Sequence, residues 1–327
     1  MPMILGMATS HFPSLFQETY EGWQYYWELI SGGVPQPPEV QAQGPACIEA
    51  WARRKHAALE AMARCFAEHR PDALIVVGGD QDEWFSASHS PSLMIYSGAA
   101  PVVGFHNYGE ADADPPLKFW EHPDRFGMTV PVDPELAGLL QNKLVAEGFD
   151  VSISRSIKPR GRPGRLAPHA ITRPLPLVMP RLDIPIVPLV VRTIEATPGV
   201  LSGSRCLAIG RAIARICART PKRVAILASG GMSHDPSGPR SGWVDEPMDR
   251  WVLDCISRGQ AERLGALFDF RSAANASGTG ELRTWLVTAA AMEHAVPGIR
   301  AQVLDYFAAH KATAGCGWAL WPTESST

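Results

Sequence analysis

Short apolar runs that end in glycine or in polar clusters recur along the chain, separated by stretches in which apolar positions return every three to four residues. Met3 to Ala8, Ala73 to Val77, Val151 to Ser154, Ile184 to Val191 and Arg223 to Ala228 have the length and the β-branched content of strands. Shorter β-like runs lie between Ser92 and Phe105, and Val303 to Phe307 and Gly317 to Trp321 read as two more strands. Helical spacing marks Ala46 to Arg70 through Ile48, Trp51, Leu59, Met62 and Phe66, with Pro71 ending it. It marks Asp133 to Glu147 through Leu136, Leu139, Leu140 and Leu144, and Leu207 to Ile216 behind a Ser202 cap. Pro247 to Ile256, Ala261 to Phe268 and Glu281 to Met292 complete the helices, with Glu281 in a first turn where the macrodipole favours an anion. The alternation predicts an α/β fold: a single-domain sandwich over residues 1–327 whose central sheet is mainly parallel or mixed and is flanked by helices. Residues 16–45 break the rhythm with Tyr20, Trp23, Tyr25, Tyr26 and Trp27 followed by a Gly/Pro-rich stretch. They read as a helical turn or two and a loop, and are expected to form a lid or a subunit contact.

The polar residues gather where strands end. His11 follows the first strand, Gly79-Asp80-Gln81-Asp82-Glu83 the second, and Gly230-Gly231-Met232-Ser233-His234 the strand that starts at Arg223. In open α/β sheets that edge binds ligands, and imidazole is the side chain suited to moving protons near neutral pH. One loop histidine is most often structural; several at one edge argue for a site. Two imidazoles and a carboxylate are the set that holds non-haem Fe(II) with open positions, and His11, Glu281 and a member of the Asp80-Gln81 cluster fit a variant of it, with His234 free as a base. Lys158 to Arg165 is a basic Gly/Pro-rich loop read as solvated.

Composition narrows the partners. With 46% hydrophobic and 19% charged residues in 327, a net charge of −3 and dispersed basic side chains, the chain offers no footprint for nucleic acid or an anionic membrane. No apolar run reaches membrane-spanning length, the N-terminus lacks a basic and then apolar leader pattern, and the six cysteines form no CxxC pair. A cytoplasmic protein with reduced thiols and a small-molecule partner is expected.

The same residues carry a resemblance. Thr9-Ser10-His11-Phe12-Pro13, Asp72 to Phe85, His169 with Pro174-Leu175, Ile184 to Thr193, Gly230 to His234, Gly238-Pro239-Arg240-Ser241-Gly242, Gly280-Glu281-Leu282 and Gly317 to Pro322 resemble the class III extradiol ring-cleavage dioxygenases, the superfamily of the protocatechuate 4,5-dioxygenase β subunit. The resemblance implies Fe(II) bound by His11 and Glu281, His234 as catalytic acid and base, His169 as a catalytic residue lining the substrate site, and a catechol-type substrate cleaved with O2. Arg173 and Arg240 are candidate partners for a substrate carboxylate. A homo-oligomer or a second small subunit is expected. The family's third ligand is a histidine where this chain has Gln81, a neutral amide and a poorer Fe(II) donor. Three outcomes follow: Gln81 ligates through its oxygen, His56 or another histidine replaces it, or the chain is a metal-free binding protein or non-catalytic subunit. A zinc hydrolase is a further reading that His/Glu ligation permits.

Overall fold

A computed structural model describes residues 2–324 apart from 87, 107–108, 111–112, 114–115, 157–165, 195–198, 271 and 273–274, so the basic segment Lys158 to Arg165 lies outside the described residues. Eight strands make one sheet: β1 (Met3–Thr9), β2 (Ala73–Gly78), β3 (Leu93–Tyr96), β4 (Ser152–Ser154), β5 (Ile186–Val191), β6 (Val224–Ser229), β7 (Gln302–Ala309) and β8 (Ala314–Pro322). Their spatial order is β7-β8-β1-β6-β2-β5-β3-β4. The inner strands β1, β6, β2 and β5 run parallel. β8 and β7 add an antiparallel edge beside β1, and β3 runs antiparallel to β5. The sheet is therefore mixed around a parallel centre, and every residue of the four inner strands is buried. Parallel strands covered on both faces require such unbroken apolar runs.

The helices are α1 (Tyr20–Ser31), α2 (Pro45–His69), α3 (Pro134–Ala146), α4 (His169–Thr172), α5 (Gly203–Cys217), α6 (Glu246–Ser257) and α7 (Leu282–Ala295), together with shorter pieces. Strand alternation divides the core: Ile75, Val77 and Ile226 face the layer of α3, α5 and α7, whereas Leu74, Val76 and Leu227 face the layer of α2. Among the described residues no helix is long and apolar enough to cross a membrane.

Local departures from the sequence reading have local causes. The expected turn or two after Phe16 is a 12-residue helix, α1, because Thr19 Oγ1 caps the Gly22 N–H and Gly32 ends it at φ 60°. Trp23 and Tyr26 of this helix are buried. The helix expected over Ala261 to Phe268 is two pieces, Ala261–Leu264 and Ala266–Asp269, parted at Gly265, the residue of that run with the least helical propensity. Glu281 lies not inside a first α-helical turn but at the junction between a 3-10 turn, Gly278–Glu281, and α7.

Candidate active site

Because β1, β6 and β2 are parallel neighbours, their C-terminal ends open on one edge of the sheet and bring His11, the Gly230 to His234 loop and Gln81 side by side. The N-terminal end of α7 points Glu281 into the same place, and α4 starts with His169 beside β2. His11, Gln81, His169, Arg173, His234 and Glu281 all line one pocket, together with Phe12, Pro13 and Thr313. Its cavity volume is small, about 70 Å3, and it is partly open to solvent. A larger groove at the other end of the strands, lined by Phe66, Arg70, Met179 and Arg181, carries no imidazole.

Glu281 is the centre of the constellation. It is 1% exposed, and its Oε2 accepts the Gly231 N–H at 2.7 Å while His11 Nε2 stands 3.3 Å and His234 Nε2 3.6 Å away. Its Oε1 accepts the Gln81 amide N–H at 2.8 Å. Burial alone would raise this carboxyl, but the surrounding imidazoles, His11 foremost and then His234 and His169, hold it far below the usual carboxylate range.

The tautomers follow from acceptors that cannot donate. His234 Nδ1 lies 2.7 Å from the Met232 carbonyl, so in the neutral ring the proton sits on Nδ1 and the Nε2 lone pair faces the pocket. The His234 N–H donates to Thr279 Oγ1 at 3.0 Å, and the Thr279 N–H donates to the His234 carbonyl at 3.0 Å. Gly278 makes room for the ring, since a Cβ there would stand 2.3 Å from His234 Nε2. His169 Nδ1 lies 2.5 Å from Glu83 Oε1, which places its lone pair on Nε2 as well. Burial pushes the His169 imidazole below its ordinary value against the pull of Glu83. Burial alone would raise the Glu83 carboxyl in turn, yet His169 and the backbone N–H groups of Gln81 and His169 bring it down to about 2. His11 Nδ1 shares a hydrogen with Ser229 Oγ at 2.8 Å.

Among the described histidine, cysteine, aspartate and glutamate side chains, the group that could hold a metal ion is His11, His169 and Glu281, whose ligand atoms lie within 4.8 Å of one another. His56 is elsewhere: it is an exposed residue of α2 paired with Glu18 at 2.7 Å and does not reach the pocket. Arg240 is absent from the pocket lining and stands 4.0 Å from Asp235. Arg173 does line it, and its guanidinium donates to the His11 carbonyl. Trp84 and Phe85, near in sequence to Gln81, are not lining residues; the Trp84 indole Nε1–H donates to the Leu166 carbonyl. The sequence reading passed over Glu83, Ser229 and Thr279. Glu83 lies in the polar run after β2, but its partner is 86 residues away, a distance at which spacing carries no signal.

The fold brings these imidazoles and Glu281 to one sheet edge, and comparison with known proteins shows which family carries them. The model of the catalytic LigB subunit of aromatic ring-opening dioxygenase matches residues 6–316, and the chain belongs to that family. The chain is 26% identical over 208 residues to the 2,3-dihydroxyphenylpropionate/2,3-dihydroxicinnamic acid 1,2-dioxygenase of Rhodococcus sp, covering 63% of this chain and 57% of that protein. It is 29% identical over 179 residues to the enzyme of the same name from Mycolicibacterium smegmatis, covering 54% of this chain and 48% of that one. The chain thus matches about half the length of these curated relatives. In fold it is similar to the uncharacterized protein JW3007 from Escherichia coli K12, with a TM-score of 0.50 at 13% identity over 80% of this chain and 91% of that one.

Proposed function

We propose that the chain is a non-haem Fe(II)-dependent extradiol dioxygenase that opens a catechol-type aromatic ring with O2, His234 acting as acid and base. The observation that carries this reading is the convergence of His11, His169, His234 and Glu281 on one buried pocket in a chain of this family. The donors fit the ion: two imidazole nitrogens and a carboxylate kept ionised away from water suit Fe(II) and leave positions open. His11 and Glu281 are two of its ligands. When bound, Fe(II) supplies a redox-active Lewis acid at which an aromatic diol and O2 meet.

The chain's own groups do the rest. His234 Nε2 takes the proton of a substrate hydroxyl, while its Nδ1–H, held by the Met232 carbonyl, keeps the ring in the orientation that receives it. The same atom returns the proton as the ring opens. Arg173 places a cation in the pocket wall, which suits a carboxylated catechol such as the one in the relatives' names. Residues 16–45 serve as a covering wall: Lys311 lies over the rings of Tyr20 and Trp27, beside Ala312 and Thr313 of the pocket.

Oxygen uptake by Fe(II)-loaded protein on catechol, protocatechuate, gallate, 2,3-dihydroxyphenylpropionate and aminophenol tests the reading. One of them is expected to be consumed with a yellow ring-opened product, and His234→Ala is expected to lose about 100- to 10,000-fold in rate. No uptake on any of them removes the proposal. A second reading, a metal-free binding protein, is favoured by the Gln81 amide that already satisfies Glu281. Metal analysis after anaerobic purification separates them, about one iron per chain supporting the enzyme.

A further inference from the structure

We propose that His169, oriented by Glu83, supplies the third protein ligand of the metal, in the position that Gln81 leaves without an imidazole. The inference rests on the reading that this pocket binds a metal. A carboxylate only accepts, so the end of the Gln81 amide that meets Glu281 Oε1 at 2.8 Å is its NH2. That contact sets the amide nitrogen against the carboxylate. His169 instead has its Nδ1 at 2.5 Å from Glu83 Oε1, which leaves Nε2 as the nitrogen able to ligate, and a ligand atom of His169 lies within 4.8 Å of those of His11 and Glu281.

Glu83 itself is 2% exposed, and its second oxygen accepts the Gln81 backbone N–H at 2.7 Å. One buried carboxylate therefore fixes both the loop that carries the glutamine and the ring that replaces it. A carboxylate behind a ligating imidazole fixes the tautomer and raises the basicity of the nitrogen facing the metal. The ligand atoms of His11, His169 and Glu281 spread over 4.8 Å, more than the roughly 3 Å between neighbouring donors whose bonds are about 2.1 Å long. Binding draws the set together. The rings of His11 and His169 already stand edge to face with centroids 4.8 Å apart.

The test is binding, not turnover. Full-length apoprotein is titrated anaerobically with Co(II) and Fe(II), followed by calorimetry and by the visible Co(II) spectrum, for wild type, His169→Ala, His169→Gln, Glu83→Gln and Gln81→Ala, with a thermal melt of each to show that it is folded. Affinity is expected to fall about 10- to 100-fold in Glu83→Gln and at least as far in both His169 variants. Gln81→Ala removes only a hydrogen-bond donor to Glu281 and is expected to cost less affinity than removal of the His169 imidazole itself, and the Co(II) spectrum of Glu83→Gln is expected to shift. The near-isosteric Gln variants keep the question open to decision if the Ala variant fails to fold. Loss of metal in Gln81→Ala with retention in His169→Gln overturns the proposal while leaving the dioxygenase reading intact. His169-dependent binding without ring cleavage does the reverse, and a wild-type chain that takes up neither ion overturns both.

Discussion

Glu83 and Asp249 are both buried carboxylates beside the site, and they behave in opposite ways. Glu83 is 2% exposed and meets the His169 imidazole and two backbone N–H groups, which bring it down to about 2. Asp249, on α6, is 0% exposed and accepts from the Ser233 N–H at 2.8 Å, Ser233 Oγ at 2.7 Å and the Tyr306 hydroxyl at 2.9 Å. Burial nevertheless pushes it up to about 7. Three neutral donors do not offset desolvation of the charge, whereas one partner able to carry positive charge does. The difference suits what each holds. Glu83 steadies an imidazole that faces a cation, and Asp249 steadies the loop residue immediately before His234.

The largest expected effect tests the Asp249 half. Its folded value lies above the ordinary 3.8, so the native state binds the proton more tightly than the unfolded chain does. The penalty is absent below the unfolded value, grows as pH rises, and is complete once pH passes about 7. Its size is roughly 4 kcal/mol at 1.36 kcal/mol per unit. Urea unfolding between pH 4 and 8 is expected to show wild type losing that much stability relative to Asp249→Asn. Parallel curves for the two would mean that Asp249 titrates like a solvated carboxylate.

Glu83→Gln probes the other half at fixed pH. Here a charged acceptor is replaced by an amide whose NH2 confronts the donors it should receive, so about 2 kcal/mol of stability at pH 7.5 is expected to go. Asp249→Asn at that pH is expected to lose less, since its amide also confronts donors but it removes a charge that burial opposes. Equal losses in the two variants would erase the contrast. Tyr306→Phe is smaller: one hydroxyl donor disappears and Asp249 keeps its two bonds to Ser233, for about 1 kcal/mol by denaturant titration.

What the sequence made legible divides along the same line. Strand ends were legible because a buried parallel strand needs an unbroken apolar run, and the polar cluster after it is where the run stops; His11, Gln81 and His234 were found that way. Glu281 was found from a carboxylate standing at the start of an apolar helix. The pairs that tune these groups were not legible. Glu83 with His169, and Asp249 with Ser233 and Tyr306, join side chains on separate elements, and hydrophobic periodicity reports which face is buried but not which polar groups meet beneath it. The same blindness left His56 as a candidate third ligand, since a histidine on an apolar-striped helix shows its face only when the helix is docked.

His56→Ala is the smallest expected effect and sharpens the comparison by supplying an exposed carboxylate. Glu18, whose side chain is 50% exposed, meets His56 Nε2 through Oε2 at 2.7 Å and the buried Lys55 ammonium through Oε1 at 2.8 Å. Lys55 also donates to the carbonyls of Leu15 and Gln17, so the ammonium stays fully bonded when the imidazole is removed and continues to hold Glu18. What is lost is one solvent-screened pair between half-exposed groups, worth less than about 0.5 kcal/mol. Metal stoichiometry, oxygen uptake and the unfolding midpoint are all expected to match wild type. A drop in bound metal would instead bring position 56 into the site and displace His169 from the role assigned to it, because α2 would then have to pack its other face towards Glu281.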